Sequence, residues 1–95
     1  MARVAVTDGM DKKAVKIIID AGHEVILQHY SSEELLKGAL SSFDAVVIRS
    51  ATKMTEEVIL GSKKNNGKLS FIGRAGVGVD NISIDTATKN GITVC

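Results

Sequence analysis

Short apolar runs alternate along the chain with longer segments in which apolar positions recur every three or four residues. The short runs are rich in β-branched residues and predict five strands. The segments between them have the spacing of amphipathic helices and predict four helices. The run at residues 45–48 is apolar on both faces, which favours a central place in a parallel sheet. The predicted strands are Val4–Val6, Val25–Leu27, Ala45–Ile48, Leu69–Ile72 and Ile92–Val94.

Polar residues and glycines mark where the predicted helices begin and end. Gly22 follows the last apolar position of the first helix and predicts a left-handed residue beyond the helix end. Ser31 and Glu34 have the spacing of a capping box, and Thr55 precedes two glutamates that favour a helix N-terminus. Ser83 is expected to cap the last helix. The predicted buried faces consist of Met10, Ala14, Ile17, Ile18 and Ala21 in the first helix, and of Leu35, Leu36, Ala39 and Leu40 in the second.

The strict alternation of strands and helices determines the predicted architecture. Parallel strands joined by right-handed helical crossovers predict an α/β fold, a doubly wound parallel five-stranded sheet in the flavodoxin-like order 2-1-3-4-5. Residues 1–95 are expected to form one domain, because about 100 residues suit one core and not two. No covering helix follows the fifth strand, so we expect this domain to continue beyond residue 95.

Composition and charge exclude several classes of function. Hydrophobic residues make up 44% of the chain and charged residues 24%, which is typical of a globular domain. The net charge of +1 favours neither nucleic acid nor an anionic membrane as a partner. Cys95 is the single cysteine, so it forms no internal disulfide, and no Cys/His spacing predicts a metal site. A reducing, cytoplasmic location is the expectation.

Two arginines stand where a ligand would bind in such a sheet. In open α/β sheets, ligands bind beyond the carboxyl ends of the strands, and Arg49 and Arg74 directly follow the third and fourth predicted strands. Ser50 and Thr52 add hydroxyls beside one arginine, and Gly76-Val77-Gly78 adds accessible backbone amides beside the other. A planar guanidinium suits carboxylate or phosphate. This pattern predicts a small anionic ligand; the alternative is that both arginines only form surface salt bridges or cap carbonyl groups.

The glycine pair after the fourth strand is not a dinucleotide fingerprint. The third glycine of that motif is missing from residues 76–81, and the motif does not follow the first strand. Asp80 and Asn81 leave two interpretations open: they cap the last helix, or they orient the ligand loop.

The remaining titratable residues carry less weight. His23 lies in a tight link and is expected to be structural, while His29 lies near the ligand edge without a predicted carboxylate partner. Asp8 ends the first strand, as a phosphoacceptor aspartate of a receiver domain would. Such a domain needs a second acid after the third strand, where this chain has Arg49, and Asp44 lies at the opposite end of that strand. We therefore reject the receiver-domain interpretation.

Three segments resemble the N-terminal, substrate-binding domain of the D-isomer-specific 2-hydroxyacid dehydrogenases. They are Val47–Thr55 (VIRSATKMT), Ile72–Ile82 (IGRAGVGVDNI) and Ala87–Val94 (ATKNGITV). The first half of the chain agrees with the family in element order more than in residues. Ser83 departs from the pattern, since the family often has an acid there, but serine also caps helices.

The resemblance implies a role for each matching residue. Arg49 and Ser50 would face the phosphate end of a phosphorylated substrate, and Arg74 would help to hold that substrate. The amides of Gly76, Val77 and Gly78 would meet its carboxylate, and Val77 would also approach the nicotinamide of NAD. The residues that perform the catalysis, and the glycine-rich domain that holds NAD, match nothing in residues 1–95, so the chain alone is not expected to be active.

The implied activity is oxidation of 3-phosphoglycerate to 3-phosphohydroxypyruvate by hydride transfer to NAD, which opens L-serine biosynthesis. The implied partner is a small phosphorylated 2-hydroxy acid, with no nucleic acid and no membrane, and the whole protein is expected to be a homo-oligomer. Two alternatives stay open. One is another member of the family that reduces hydroxypyruvate or glyoxylate, and the other is a non-catalytic interaction module.

Overall fold

The computed structural model describes residues 2–49, 51–63, 66–74 and 81–95. Strands and helices alternate through these residues in the predicted order. The elements are β1 (Arg3–Val6), α1 (Lys12–Asp20), β2 (Glu24–Leu27), α2 (Ser32–Leu36), β3 (Ala45–Ile48), α3 (Glu56–Ser62), β4 (Phe71–Arg74), α4 (Ile84–Lys89) and β5 (Thr93–Val94).

The five strands form one parallel sheet in the order β2-β1-β3-β4-β5, which confirms the predicted topology. β3 is the central strand, with β1 on one side and β4 on the other. Val6 pairs with Val47, and Ile48 pairs with Arg74. Because these strands are parallel and in close register, the residues that follow β1 and β3 and the end of β4 share one edge of the sheet.

The hydrophobic core lies between the sheet and the helices α2, α3 and α4, all of which cross to the same face. Ala5, Val46 and Ile72 are fully buried strand residues of this core. Ile48 of β3 also belongs to this core. Its remaining members come from the helices and connecting segments: Leu35, Leu40, Phe43, Met54, Val58, Ile59, Leu69, Ile82, Ala87 and Ile92.

Helix α1 packs on the opposite face of the sheet, and there the sequence prediction is partly wrong. None of residues 12–20, all of which the structure describes, is fully buried. Ile17 is 70% exposed, whereas Ala14 and Ile18 are half-buried against the sheet. Leu36 was also assigned to a buried face and is 43% exposed, because α2 ends at that residue. Apolar spacing identified both helices, but it did not determine how much of each stripe has a neighbour to pack against.

The helix ends mostly follow the predicted signals. Gly22 has a φ of 94°, and the Ser31–Glu34 capping box is formed. The Thr55 hydroxyl accepts a hydrogen bond from the N–H of Val58 at the start of α3. Ser83 is the N-cap residue of α4, as predicted, but its hydroxyl donates to Oγ1 of Thr86 at 2.9 Å and makes no side-chain capping hydrogen bond.

Strand β4 begins two residues later than predicted and ends at Arg74. The register with β3 explains the shift, because Ala45 pairs with Phe71 and Ile48 pairs with Arg74. Arg74 is therefore the last residue of a strand, and its backbone N–H donates to the carbonyl of Cys95 at 3.1 Å. In the described part of the chain no helix has the length and apolar character needed to cross a bilayer.

Candidate functional site

The two predicted ligand-binding arginines lie at the same edge of the sheet. Arg49 directly follows β3, and Arg74 ends β4, the neighbouring strand. Arg49 is exposed and Arg74 is half-buried. The structure thus brings together the two cations that the sequence placed after the third and fourth strands. Their role in binding an anion remains a prediction.

Asn81 joins the segments that carry these arginines. Its amide nitrogen donates to the carbonyl oxygens of Arg49 at 2.7 Å and of Thr52 at 2.6 Å. Its amide oxygen accepts a hydrogen bond from Nε of Arg74 at 2.9 Å. Of the two interpretations left open for Asn81, helix capping is wrong, because Ser83 is the N-cap residue of α4. The side chain instead connects the two loops.

The backbone reinforces this connection. The N–H of Met54 donates to the carbonyl of Asn81 at 2.7 Å, and the N–H of Ser83 donates to the carbonyl of Met54 at 2.8 Å. Met54 and Ile82 form a parallel bridge, and both are buried. Asn81 therefore enters the site from a backbone that is itself held against the segment preceding α3.

Asp8 anchors the Arg49 segment from the other side. Its carboxylate accepts hydrogen bonds from the N–H of Arg49 at 2.8 Å, the N–H of Thr52 at 2.9 Å and Oγ1 of Thr52 at 2.6 Å. Its side chain is only 3% exposed. Burial alone would raise the pKa of Asp8, but these hydrogen bonds outweigh it and hold the pKa below its ordinary value. Asp8 is thus an ionised, structural carboxylate at neutral pH.

Sequence reasoning missed this role of Asp8, which it considered only as a phosphoacceptor. The available signal was its position two residues after β1, the strand that the predicted topology places beside β3. A second buried contact extends the network, since Oγ1 of Thr7 and Oγ1 of Thr52 lie 2.8 Å apart.

His29 has a carboxylate neighbour, contrary to the expectation from the sequence. Its Nδ1 lies 3.3 Å from Oδ1 of Asp8 and 3.2 Å from the carbonyl oxygen of Thr7. Both neighbours are acceptors, so the contacts favour a proton on Nδ1. The two residues meet because β1 and β2 are adjacent and end at the same edge.

The other predictions for single titratable residues are confirmed. Nδ1 of His23 accepts a hydrogen bond from the N–H of Ala2 at 3.0 Å, which is the structural role expected for it. Asp44 lies at the opposite edge of the sheet, where Oδ2 accepts from the N–H of Arg3 at 2.8 Å.

An open cleft of about 350 Å³ borders Asn81 on one side. Its lining combines one cationic and one anionic residue with small polar and apolar groups: Lys53, Met54, Thr55, Glu56, Asn81, Ile82 and Ser83. The junction formed by Asn81 therefore adjoins open space rather than packed core.

Several predicted site residues lie outside the described residues. They are Ser50, Gly76, Val77, Gly78 and Asp80. Their assigned contacts with substrate and nicotinamide stay predictions. Among the described residues, no three His, Cys, Asp or Glu side chains come close enough together to hold a metal ion.

Comparison with known proteins decides the family. Residues 4–95 match the family model described as the catalytic domain of the D-isomer-specific 2-hydroxyacid dehydrogenases. The chain belongs to this family. The resemblance found in the sequence is thereby confirmed, and the doubly wound sheet is the fold of these dehydrogenases.

Individual proteins resemble this chain over nearly all of its residues. The D-3-phosphoglycerate dehydrogenase of Methanocaldococcus jannaschii is 42% identical over 94 residues, which cover 99% of this chain and 17% of that protein. A crystal structure of a Pyrococcus horikoshii protein superimposes with a TM-score of 0.84 at 32% identity, covering 99% of this chain and 27% of that one. An NAD⁺-bound 3-phosphoglycerate dehydrogenase from Entamoeba histolytica has a TM-score of 0.77 at 31% identity, covering 98% of this chain and 32% of that one. The chain thus spans about a sixth of the length of the curated relative it matches.

Proposed function

We propose that this chain is the substrate-binding part of an NAD-dependent dehydrogenase that oxidises 3-phosphoglycerate to 3-phosphohydroxypyruvate, the first step of L-serine biosynthesis. The observation that carries the proposal is the pair Arg49 and Arg74 at the ends of adjacent strands, joined through the side chain of Asn81. The similarity to proteins named D-3-phosphoglycerate dehydrogenase supports the same substrate.

The charge of the substrate explains why two arginines are needed. 3-Phosphoglycerate has a phosphate at one end and a carboxylate at the other, and each is matched by a planar guanidinium or by backbone amides. Arg49 and Ser50 would meet the phosphate, Arg74 would help to hold the substrate, and the Gly76–Gly78 amides would meet the carboxylate. An unphosphorylated acid such as glyoxylate needs less positive charge at this edge.

Bound NAD would accept the hydride removed from C2 of the substrate. The resemblance assigns only one residue of this chain, Val77, to the cofactor, so NAD would be held mainly by residues outside the chain. What the described residues do is hold the cationic edge in place: Asp8 and Asn81 fix the backbone of Arg49 and Thr52. A homo-oligomeric, cytoplasmic enzyme is part of this proposal.

The test is a kinetic comparison in the intact protein that carries this chain. NADH oxidation is measured with 3-phosphohydroxypyruvate, hydroxypyruvate and glyoxylate, for the wild type and for Arg49→Ala. We expect the phosphorylated substrate to have the highest kcat/KM. Arg49→Ala should lower that value about 10- to 100-fold, because a charge-assisted contact is lost, and should change the value for hydroxypyruvate much less.

Arg3→Ala is the matched control, because Arg3 lies at the opposite edge of the sheet and pairs with Glu24 at 3.5 Å. A wild-type protein that prefers hydroxypyruvate or glyoxylate would instead be a reductase of the same family. A protein that reduces none of the three acids but binds a macromolecule stably would support the interaction-module alternative.

A further inference from the structure

The backbone of Arg49 and Thr52 is held from two sides by two different side chains. Asp8 accepts hydrogen bonds from the N–H groups of both residues, and Asn81 donates hydrogen bonds to the carbonyl groups of the same two residues. An aspartate and an asparagine thus satisfy the backbone donors and acceptors of these two residues. These bonds therefore fix the backbone of Arg49 and of Thr52.

Asn81 differs from Asp8 because it also reaches the other arginine. Its Oδ1 accepts the Nε hydrogen of Arg74 at 2.9 Å, while its Nδ2 is used by Arg49 and Thr52. One rigid amide group is therefore hydrogen-bonded both to the guanidinium of Arg74 and to the backbone of Arg49. A hydrogen bond at Nε restricts the rotation of the guanidinium plane. A lysine has no equivalent N–H group on a planar fork, so the orientation of its charge could not be fixed in this way.

The chemistry of the amide suits this position. An aspartate at residue 81 could accept the hydrogen bond from Arg74, but it could not donate to the two carbonyl groups. Its charge would also neutralise part of the field that Arg74 presents to an anion. A neutral amide connects the two loops without adding a negative charge beside Arg74.

We propose that Asn81 is a positioning residue that holds the Arg74 guanidinium in register with the Arg49 segment, so that both cations meet one substrate. The proposal rests on the proposed function, because it assumes that both arginines bind the same anion. Asn81 acts through Arg74, and it need not touch the reacting atoms.

The test is a double-mutant cycle in the intact enzyme, measured as NADH oxidation with 3-phosphohydroxypyruvate. Asn81→Ala is compared in the wild-type background and in an Arg74→Lys background, which keeps the charge and removes the Nε fork. We expect Asn81→Ala to raise KM about 10- to 100-fold and to change kcat less than about threefold, since it removes binding that the ground state and the transition state share. In the Arg74→Lys background the increase in KM should be at least about threefold smaller, because only the contact with Arg74 is already absent while those with the Arg49 and Thr52 carbonyls are still lost.

Asn90→Ala is the matched control. Asn90 also uses its amide nitrogen on a backbone carbonyl, that of Thr86 at 2.8 Å, but it lies at the far end of α4. The kcat and KM of the Asn90→Ala variant should stay within about twofold of the wild-type values. Thermal unfolding of each variant reports any loss of stability separately from the kinetics.

The outcomes separate this proposal from the proposed function. Equal effects of Asn81→Ala in both backgrounds, or a fall in kcat with no change in KM, would overturn the positioning role. If Asn81→Ala does not fold, the isosteric Asn81→Asp is measured instead, and an unchanged KM would overturn the proposal. A wild-type enzyme that prefers an unphosphorylated acid would refute the proposed substrate, and the same cycle run with that acid would still decide the role of Asn81.

Discussion

Replacing Asp8 with asparagine tests whether an ionised carboxylate holds the candidate site together. The substitution keeps the shape of the side chain but removes its charge. Three hydrogen bonds end on the carboxylate, from two backbone N–H groups and from the Thr52 hydroxyl. Hydrogen bonds to a charged group contribute about 1.5–3 kcal/mol, and neutral ones about 0.5–1.5 kcal/mol. Asp8→Asn should therefore lower the free energy of unfolding by about 2–4 kcal/mol at neutral pH.

Urea unfolding at a series of pH values measures this effect. The pKa of Asp8 is lowered in the folded state, so the unfolded chain takes up a proton first on acidification. The stabilisation by the carboxylate is fully present above its ordinary pKa of about 4 and is lost as the pH falls through the lowered, folded value. The difference between wild type and Asp8→Asn should shrink on acidification below about pH 4.

Asp44→Asn is the control for a general effect of removing an aspartate. Asp44 accepts one hydrogen bond from the N–H of Arg3, and its side chain is 32% exposed. Its substitution should cost less than about 1 kcal/mol. Equal losses for the two variants, or a loss for Asp8→Asn that does not change down to pH 2, would refute the account of Asp8 given above.

Two further substitutions test neighbouring features by the same unfolding measurement. Thr52→Val removes the hydroxyl that contacts Asp8 and Thr7, and it should lower the free energy of unfolding by about 1–3 kcal/mol. Thr52→Ser keeps the hydroxyl and should lower that free energy by about 1 kcal/mol; equal losses for the two variants would argue against the hydroxyl network. Gly61→Ala would place a Cβ 2.8 Å from the carbonyl oxygen of Leu36, so α2 and α3 must separate and stability should fall by about 1–3 kcal/mol; an unchanged midpoint would contradict this close contact. In an NMR titration of the chain, 3-phosphoglycerate should shift the amide signals of Arg49, Thr52, Arg74 and Asn81, and lactate should not; identical shifts with both acids would count against a phosphate-selective edge.

The order and pairing of the strands could be predicted because each run of β-branched residues is short and is bounded by turn or capping residues. The run Ala45–Ile48 coincides with the observed β3, and its apolar character on both faces correctly indicated the central strand. Burial of helix faces was harder to predict. Ile17 has the right spacing, but whether it is buried depends on which groups cover α1.

The candidate site could be located from the sequence but not assembled. Topology placed Arg49 and Arg74 at one edge, since that requires only the strand order. The contacts made by Asp8, His29 and Asn81 depend on side-chain rotamers and on differences of less than an ångström in atomic position. The spacing of residues along the chain does not encode either. For Asn81, the sequence left helix capping and loop orientation equally open, and only the observed hydrogen bonds separate them.

The paired backbone of Arg49 and Thr52 has a consequence for the entropy of binding. Ordering a loop around a ligand normally opposes association. Each side chain that loses its rotamer freedom on binding adds an unfavourable free energy of about 0.5–1.5 kcal/mol. Here the N–H and carbonyl groups of both residues are already bonded within the protein. For Arg49 and Thr52, the conformational entropy that a ligand must still remove is therefore mainly that of the exposed Arg49 side chain.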